Sequence, residues 1–207
     1  MSRTLDPSSC AALAADANPF ATRWTRPGAI EFLFPPGQSA SALVDRFERQ
    51  SWQGQIVGSH GSGKTTLLFS LLPLWKERRN VNHVRIAGGE RRLPIAAGAW
   101  REWDERTLLV VDGFEQLRPW TRARVNRACR ARQCGLLVTA HGDMGLPDLY
   151  RTDVPLELAC RVVAALPPEA SRVVSKHDVT ACLARHPGNL REVLFALYDL
   201  FEQRRGG

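Results

Sequence analysis

Short apolar runs alternate with amphipathic segments along most of this chain. The apolar runs have the length and composition of buried strands, and they cover residues 52–57, 83–87, 107–112 and 135–141. Helical spacing of apolar residues is found instead in the segments 41–50, 65–75 and 115–132. Strands that alternate with helices favour a parallel sheet covered by helices on both faces. The pattern therefore predicts a three-layer α/β fold, with a further short edge strand near residues 154–156.

The C-terminal part of the chain contains only helical patterns. They cover residues 157–166, 176–185 and 189–203, and proline-containing breaks separate them. We interpret residues 156–207 as a small helical lid and residues 51–155 as the α/β core. Residues 1–50 are the least regular part, and we expect them to pack on that core as an N-terminal segment.

A glycine-rich loop lies between the first predicted strand and the helix that follows it. Residues 58–65 read Gly-Ser-His-Gly-Ser-Gly-Lys-Thr and match G-x-x-x-x-G-K-[ST], the phosphate-binding loop of P-loop NTPases. Glycines allow the backbone amides to approach phosphates closely, Lys64 reaches the β- and γ-phosphates, and Thr65 offers its hydroxyl to Mg²⁺. The predicted nucleotide contacts are Gly58, Ser59, His60, Gly61, Ser62, Gly63, Lys64, Thr65 and Thr66. An ordinary glycine-rich turn is improbable between a strand and a helix.

Asp112 ends the most apolar of the predicted strands. A carboxylate at the carboxyl edge of a buried parallel strand is where P-loop enzymes hold the Mg²⁺ shell, opposite the hydroxyl of the loop. We therefore predict Thr65 and Asp112 as the metal-binding residues.

The charge of the chain is strongly basic. Lys+Arg number 28 against 21 Asp+Glu, a formal net charge of +7, and only Lys64, Lys76 and Lys176 are lysines. A basic surface would suit nucleic acid, but the arginines are spread along the sequence, and arginine-rich coding bias explains them better. Nucleic acid therefore stays open as a partner.

Cysteine usage and hydropathy indicate a location in the cytoplasm. The five cysteines, at positions 10, 129, 134, 160 and 182, are odd in number and form no C-x-x-C pair. Neither a disulfide framework nor a zinc site is expected, which favours a reducing compartment. The N-terminus lacks the pattern of a signal peptide, and no apolar run is long enough to span a bilayer. We expect no membrane partner.

Four motifs together resemble the AAA+ and STAND-like branch of P-loop ATPases, over roughly residues 52–207. Besides the loop and the Asp112 strand (Walker B), residues 136–139 resemble the sensor-1 strand, and His-Pro-Gly-Asn-Leu-Arg-Glu at 186–192 is similar to the P-G-N-[VL]-R-E signature of AAA+ lids. The resemblance implies ATP and Mg²⁺ as cofactors, Thr139 beside the γ-phosphate and attacking water, and Arg191 on the phosphates. A locally bonded hydroxyl at Thr139 and a capped surface helix at Arg191 are the alternatives.

The sequence departs from this family directly after Asp112. Members of the family carry there a glutamate that polarises water, whereas this chain has Gly113. Glu115 is the candidate base if Gly113 permits a sharp turn, or else an acid in the first turn of a helix. Arg151 is either the finger that a neighbouring subunit uses in a homo-oligomer or a surface arginine. His60 and His141 are near the phosphates by position, and we expect them to be solvent-facing or locally bonded rather than catalytic.

These residues predict an ATPase that couples hydrolysis to lid movement or to an unknown protein client. Its catalytic residues would be Lys64, Asp112, Glu115, Thr139 and Arg191. A nucleotide-gated binding module with little hydrolysis is the alternative, because Gly113 replaces the usual glutamate. A small-molecule kinase is a weaker alternative, because no arginine-rich lid is evident.

Overall fold

The computed structural model describes residues 18–96 and 98–206, so Cys10 and the other residues of 1–17 lie outside it. The chain forms two compact units. Glu31–Asp153 form the first, which we call the sheet unit. The described parts of Met1–Ile30 and Val154–Gly207 form the second, which we call the helical unit. The division into three parts at residues 50 and 155 stays a prediction.

The sheet unit contains five parallel strands in the order β2-β3-β4-β1-β5. They are β1 (Gln53–Val57), β2 (Asn80–Arg85), β3 (Thr107–Asp112), β4 (Gly135–Ala140) and β5 (Asp148–Arg151). Every residue of β3 and β4 is buried, which explains their uninterrupted apolar sequence. Because the strands are parallel, the carboxyl ends of β1, β3 and β4 meet at one edge of the sheet.

Helices precede, link and follow the strands. They are α1 (Thr22–Thr25), α2 (Ala40–Arg49), α3 (Lys64–Lys76), α4 (Pro119–Ala131), α5 (Leu156–Ala165), α6 (Glu169–Val173), α7 (Lys176–Arg185) and α8 (Leu190–Arg205). Two 3₁₀ turns, Ala99–Glu102 and Phe114–Gln116, flank β3. No helix within residues 18–96 and 98–206 is long and apolar enough to cross a membrane.

The sheet has a separate hydrophobic core on each face. Leu108 and Val110 of β3 belong to the core that includes α2 and α3, whereas Leu109 and Val111 belong to the core that includes Val125 of α4. Successive residues of a strand point to opposite faces, so one apolar strand contributes to both cores. This arrangement confirms the predicted α/β fold with helices on both sides of a parallel sheet.

Three predicted elements differ from the structure. Strand β2 begins at residue 80 rather than 83, because it is an edge strand with largely exposed polar side chains that hide its apolar pattern. The second edge strand is β5 at residues 148–151, and the apolar residues near 154–156 instead lead into α5, with Pro155 as its N-cap. The helix expected over 115–132 is split into the turn Phe114–Gln116 and α4, which starts at Pro119.

The helical unit is held together by side chains at the ends of its helices. Ser175 and Asp178 form a capping box at the start of α7. Arg204, near the end of α8, donates to both carboxylate oxygens of Asp178 at 2.8 Å. Asn18 donates to the backbone carbonyl of Tyr198 at 3.0 Å, and Phe20 packs edge-on against Phe201. The chain just before α1 is thus attached to the last helix.

Candidate functional site

The loop between β1 and α3 needs glycine at three positions for two different reasons. Gly61 and Gly63 have φ angles of +67° and +96°, in the left-handed region that favours glycine. Gly58 lacks space, because a Cβ there would lie 2.7 Å from the carbonyl oxygen of Thr152 and 2.8 Å from the hydroxyl oxygen of Ser62. The backbone therefore enters α3 by a path that side chains would block.

Side chains tie this loop to the strand edge. The hydroxyl of Ser62 donates to the carbonyl oxygen of Ser59 at 2.7 Å and lies 2.6 Å from the hydroxyl of Thr152. Thr152 in turn donates its backbone N–H to Val57 at the end of β1. Ser62 is 2% exposed, so its hydroxyl has a scaffold role rather than a free one. Sequence reasoning missed Thr152, because nothing local links it to a loop ninety residues earlier.

Lys64 is the first residue of α3, and its ammonium group lies over the loop. Its Nζ donates to the carbonyl oxygens of Gly58 and Ser59, each at 2.7 Å. An anion bound at this helix N-terminus would be stabilised by the helix dipole and also by the positive charge of the Lys64 ammonium group. Thr66 lies in the same first turn of α3, and its carbonyl accepts from Ser70.

Asp112 joins the ends of three strands to the start of α3. The Thr65 hydroxyl donates to Asp112 Oδ2 at 3.0 Å, and the Thr139 hydroxyl donates to Oδ1 at 2.6 Å. The N–H of Gly113 donates to the Thr139 oxygen at 2.9 Å. Arg85, paired with Asp112 in the β2–β3 register, brings its Nε to 4.0 Å from Oδ2. The two predicted metal-binding residues are thus in direct contact.

Thr139 acts on Asp112 in this arrangement. Its side chain is 1% exposed, and its single hydroxyl proton is directed at the carboxylate. A hydroxyl has only one proton to donate, and in Thr139 it is donated to Asp112. Thr139 therefore holds the carboxylate of Asp112 in place. Arg85 is a second partner that sequence reasoning missed, although its position at the end of the strand beside β3 is a usable signal.

Glu115 lies in the 3₁₀ turn that Gly113 makes possible. Gly113 has a φ of +88°, and the turn Phe114–Gln116 follows it directly. Oε1 of Glu115 lies 3.2 Å from Nδ1 of His141, the residue that follows β4. Among the described residues, Oε2 of Glu115 is buried without a hydrogen-bond partner. His141 therefore orients the carboxylate through Oε1, and Oε2 can accept a hydrogen bond from another group.

The imidazole of His141 connects Glu115 to the loop. Its ring centroid lies 3.9 Å from that of His60, in the middle of the loop. Burial, together with the positive charge of Lys64 and with His60, lowers the pKa of His141, and the Glu115 charge opposes this. In the neutral imidazole, a proton on Nδ1 would face Oε1 of Glu115. Both histidines are exposed residues, and each contacts a neighbour in the site.

Two further arginines, Arg151 and Arg191, were predicted to be functional, and each is described by its own neighbours. Arg191 is the second residue of α8 in the helical unit, beside the cap formed by Asn189, whose side chain accepts from the N–H of Glu192. Arg151 ends β5, and its Nε donates to Asp148 at 2.7 Å while its side chain is 62% exposed. Their proposed roles therefore rest on the family resemblance.

The donor set fits a hard divalent cation held jointly with phosphate. Thr65 and Asp112 offer oxygen ligands, which Mg²⁺ prefers, and Mg²⁺ usually takes only one or two protein ligands beside a nucleotide. Within the part of the chain that the structure describes, no group of three or more His, Cys, Asp or Glu side chains forms a self-sufficient metal site. The four described cysteines, at 129, 134, 160 and 182, are free thiols.

A glycine-rich loop after β1, an acid at the end of β3 and the strand order β2-β3-β4-β1-β5 together give a fold like that of AAA+ P-loop ATPases. The structure is similar over 90% of this chain to the crystal structure of Cdc6p from Pyrobaculum aerophilum, with a TM-score of 0.63 and 16% sequence identity. It is also similar over 91% of this chain to Drosophila ORC bound to DNA, with a TM-score of 0.50 and 10% identity.

This chain spans 66% of the Cdc6p chain and 68% of the ORC chain, or about two thirds of each. At such low identities the similarity shows the fold alone. No family model matches the sequence, and no curated protein matches it.

Proposed function

We propose that this protein binds MgATP and hydrolyses it. The observation that carries the proposal is the direct contact between Thr65 and Asp112, beside a glycine-rich loop whose Gly58 carbonyl accepts a hydrogen bond from Lys64. The loop amides and Lys64 would bind the phosphates, and Thr65 and Asp112 would hold Mg²⁺. Bound Mg²⁺ supplies neutralisation of the charge on the phosphate oxygens. The preference for adenine rests on the resemblance to AAA+ ATPases.

Glu115 is the proposed general base. His141 orients its Oε1, which leaves the buried Oε2 to accept the proton of the attacking water. This geometry supports turnover even though Gly113 stands where the family has a glutamate. Thr139 is proposed as the residue that positions Asp112, since its proton is already donated to that carboxylate.

Calorimetry with ATP tests the proposed binding, and phosphate release from ATP tests the proposed hydrolysis. Lys64→Ala should abolish nucleotide binding, measured by calorimetry, whereas Lys76→Ala, an exposed lysine at the other end of α3, should bind normally. Glu115→Gln should bind ATP normally and lose turnover, with exposed Glu105→Gln as the matched control. Equal binding by Lys64→Ala and the unmodified protein would refute the site.

A nucleotide-gated binding module is the second candidate function. It is favoured by Gly113, which removes the usual catalytic glutamate from the end of β3. In that case ATP binds, but neither the unmodified protein nor Glu115→Gln releases phosphate. A kinase would differ from both, because it would release no phosphate without an acceptor but would consume ATP with one.

Coupling to the helical unit is proposed to run through Arg191. The family resemblance supports this assignment, and the C-terminal part of the helical unit follows the sheet unit directly in sequence, at residue 154. Arg191→Ala should then lower ATP affinity, and ATP should protect the helical unit from limited proteolysis only when Arg191 is present. Arg151 is the candidate finger of a homo-oligomer, which size measurement with bound ATP would detect.

A further inference from the structure

The solvent face of α4 carries a stripe of tryptophan and arginine. Trp120, Arg124 and Arg127 follow one another at spacings of four and three residues, so they lie on the same helical face. Val125 and Cys129 lie on the opposite face and are fully buried in the core. Packing against the sheet therefore requires the tryptophan and both arginines to face solvent.

The charged residues in the segment of the sequence that contains this stripe are all of one sign. Between Glu115 and Asp143 the chain contains no acidic residue and six arginines, namely Arg118, Arg122, Arg124, Arg127, Arg130 and Arg132. Within the described ranges, none of these six forms an ion pair, in contrast to Arg78, Arg151 and Arg204. A row of uncompensated guanidinium groups is costly through mutual repulsion and favours an anionic partner.

The tryptophan of the stripe is exposed on the surface rather than buried. Trp120 is 65% exposed, more than any other large hydrophobic side chain that the structure describes, and the guanidinium of Arg118 lies 5.0 Å from its ring centroid. Arg124 similarly lies 5.6 Å from the ring of Trp100. An exposed indole beside guanidinium groups offers a planar stacking surface next to positive charge.

We propose that Arg118, Trp120, Arg124, Arg127 and Arg130, the α4 surface, bind single-stranded nucleic acid. The arginines would neutralise backbone phosphates, and Trp120 would stack on a base. An acidic peptide would satisfy the arginines but would leave the indole unused, and a duplex keeps its bases stacked and out of reach. The α4 surface shares no residue with the nucleotide site, so this proposal stands apart from ATP hydrolysis.

Fluorescence anisotropy of the full chain with a fluorescein-labelled 20-mer of deoxythymidine tests this directly. Four exposed arginines on a single strand should give a slope of about −3 for log K against log salt. Arg124→Gln with Arg127→Gln should reduce that slope by about half. Trp120→Ala should weaken binding about fivefold to a hundredfold at constant salt, because one base-stacking contact is removed.

Trp24 provides a matched control for these variants. It is 38% exposed with the guanidinium of Arg23 at 5.4 Å from its ring, but it belongs to no row of unpaired arginines. Trp24→Ala and Arg23→Gln should leave oligonucleotide binding unchanged. Melting temperatures within about 2 °C of the unmodified protein would show that the exposed substitutions leave the fold intact.

Three outcomes would overturn the proposal. The first is no binding of the 20-mer at 50 mM salt. The second is a failure of Trp120→Ala to act selectively, seen as equal weakening by Trp24→Ala or as duplex that binds equally tightly with and without Trp120. The third is binding to phosphatidylserine vesicles or to heparin by the same variants without any binding of the oligonucleotide.

Discussion

Removal of the Thr139 hydroxyl tests the network around Asp112. Thr139→Val keeps the shape of a buried side chain but deletes its donation to Asp112 and strands the N–H of Gly113. Loss of a hydrogen bond to a carboxylate costs about 1.5–3 kcal/mol, and an unsatisfied buried donor costs about 1–3 kcal/mol. We therefore expect a loss of roughly 3–5 kcal/mol in the free energy of unfolding.

Thr139→Ser separates the hydroxyl from packing. It keeps both hydrogen bonds and loses one buried methyl group, worth about 1 kcal/mol. For a chain of this size, 1 kcal/mol corresponds to about 2–4 °C in melting temperature, so the valine variant should melt at least about 4 °C below the serine variant in circular dichroism. Equal melting temperatures for the two variants would refute the assigned hydrogen bonds. Phosphate release should also fall in Thr139→Val, with ATP affinity largely retained.

Three further predictions follow from other contacts. His141→Ala should lower phosphate release at least tenfold, and His141→Asn, which keeps an N–H donor, should recover most of it. Asp178→Asn should destabilise the helical unit by about 1–2 kcal/mol in urea unfolding at pH 7, because its capping box and its Arg204 contacts are weakened. Gly58→Ala should cost about 1–3 kcal/mol, because its Cβ would overlap Thr152.

Each of these has its own control. Burial and Lys64 lower the pKa of His141, so turnover that needs the neutral imidazole should be lost only at a pH below that at which an ordinary histidine is protonated. A loss of turnover already at pH 7 would contradict this. Hydrogen bonds from Arg204 and then Ser175 lower the pKa of Asp178, so its stabilisation is present above about pH 4 and is lost as pH falls below that. Exposed Asp199→Asn should show neither effect. Gly142→Ala, where a Cβ meets no atom, is the control for Gly58→Ala.

Local patterns were sufficient for the elements whose signal does not depend on distant residues. The loop at 58–65, the strand β3 and the helix α7 follow their predicted bounds, because glycine spacing, complete burial and a serine cap each act within a few residues. The predicted positions of the edge strands β2 and β5 were wrong, because an exposed strand has little hydrophobic pattern in its sequence.

The sequence by itself determined a parallel α/β sheet with a phosphate-binding loop and an acid at the end of β3, since hydrophobic period and glycine spacing encode both. Only the tertiary structure decided which side chains surround these two motifs. His141 contacts Glu115, and the hydroxyl of Thr152 contacts that of Ser62, although both pairs are far apart in sequence. Likewise, arginines that look scattered along the sequence share the α4 surface because the helix buries Val125 and Cys129. Such contacts depend on how strands are ordered and which helix face is buried, and neither is written in any local stretch of residues.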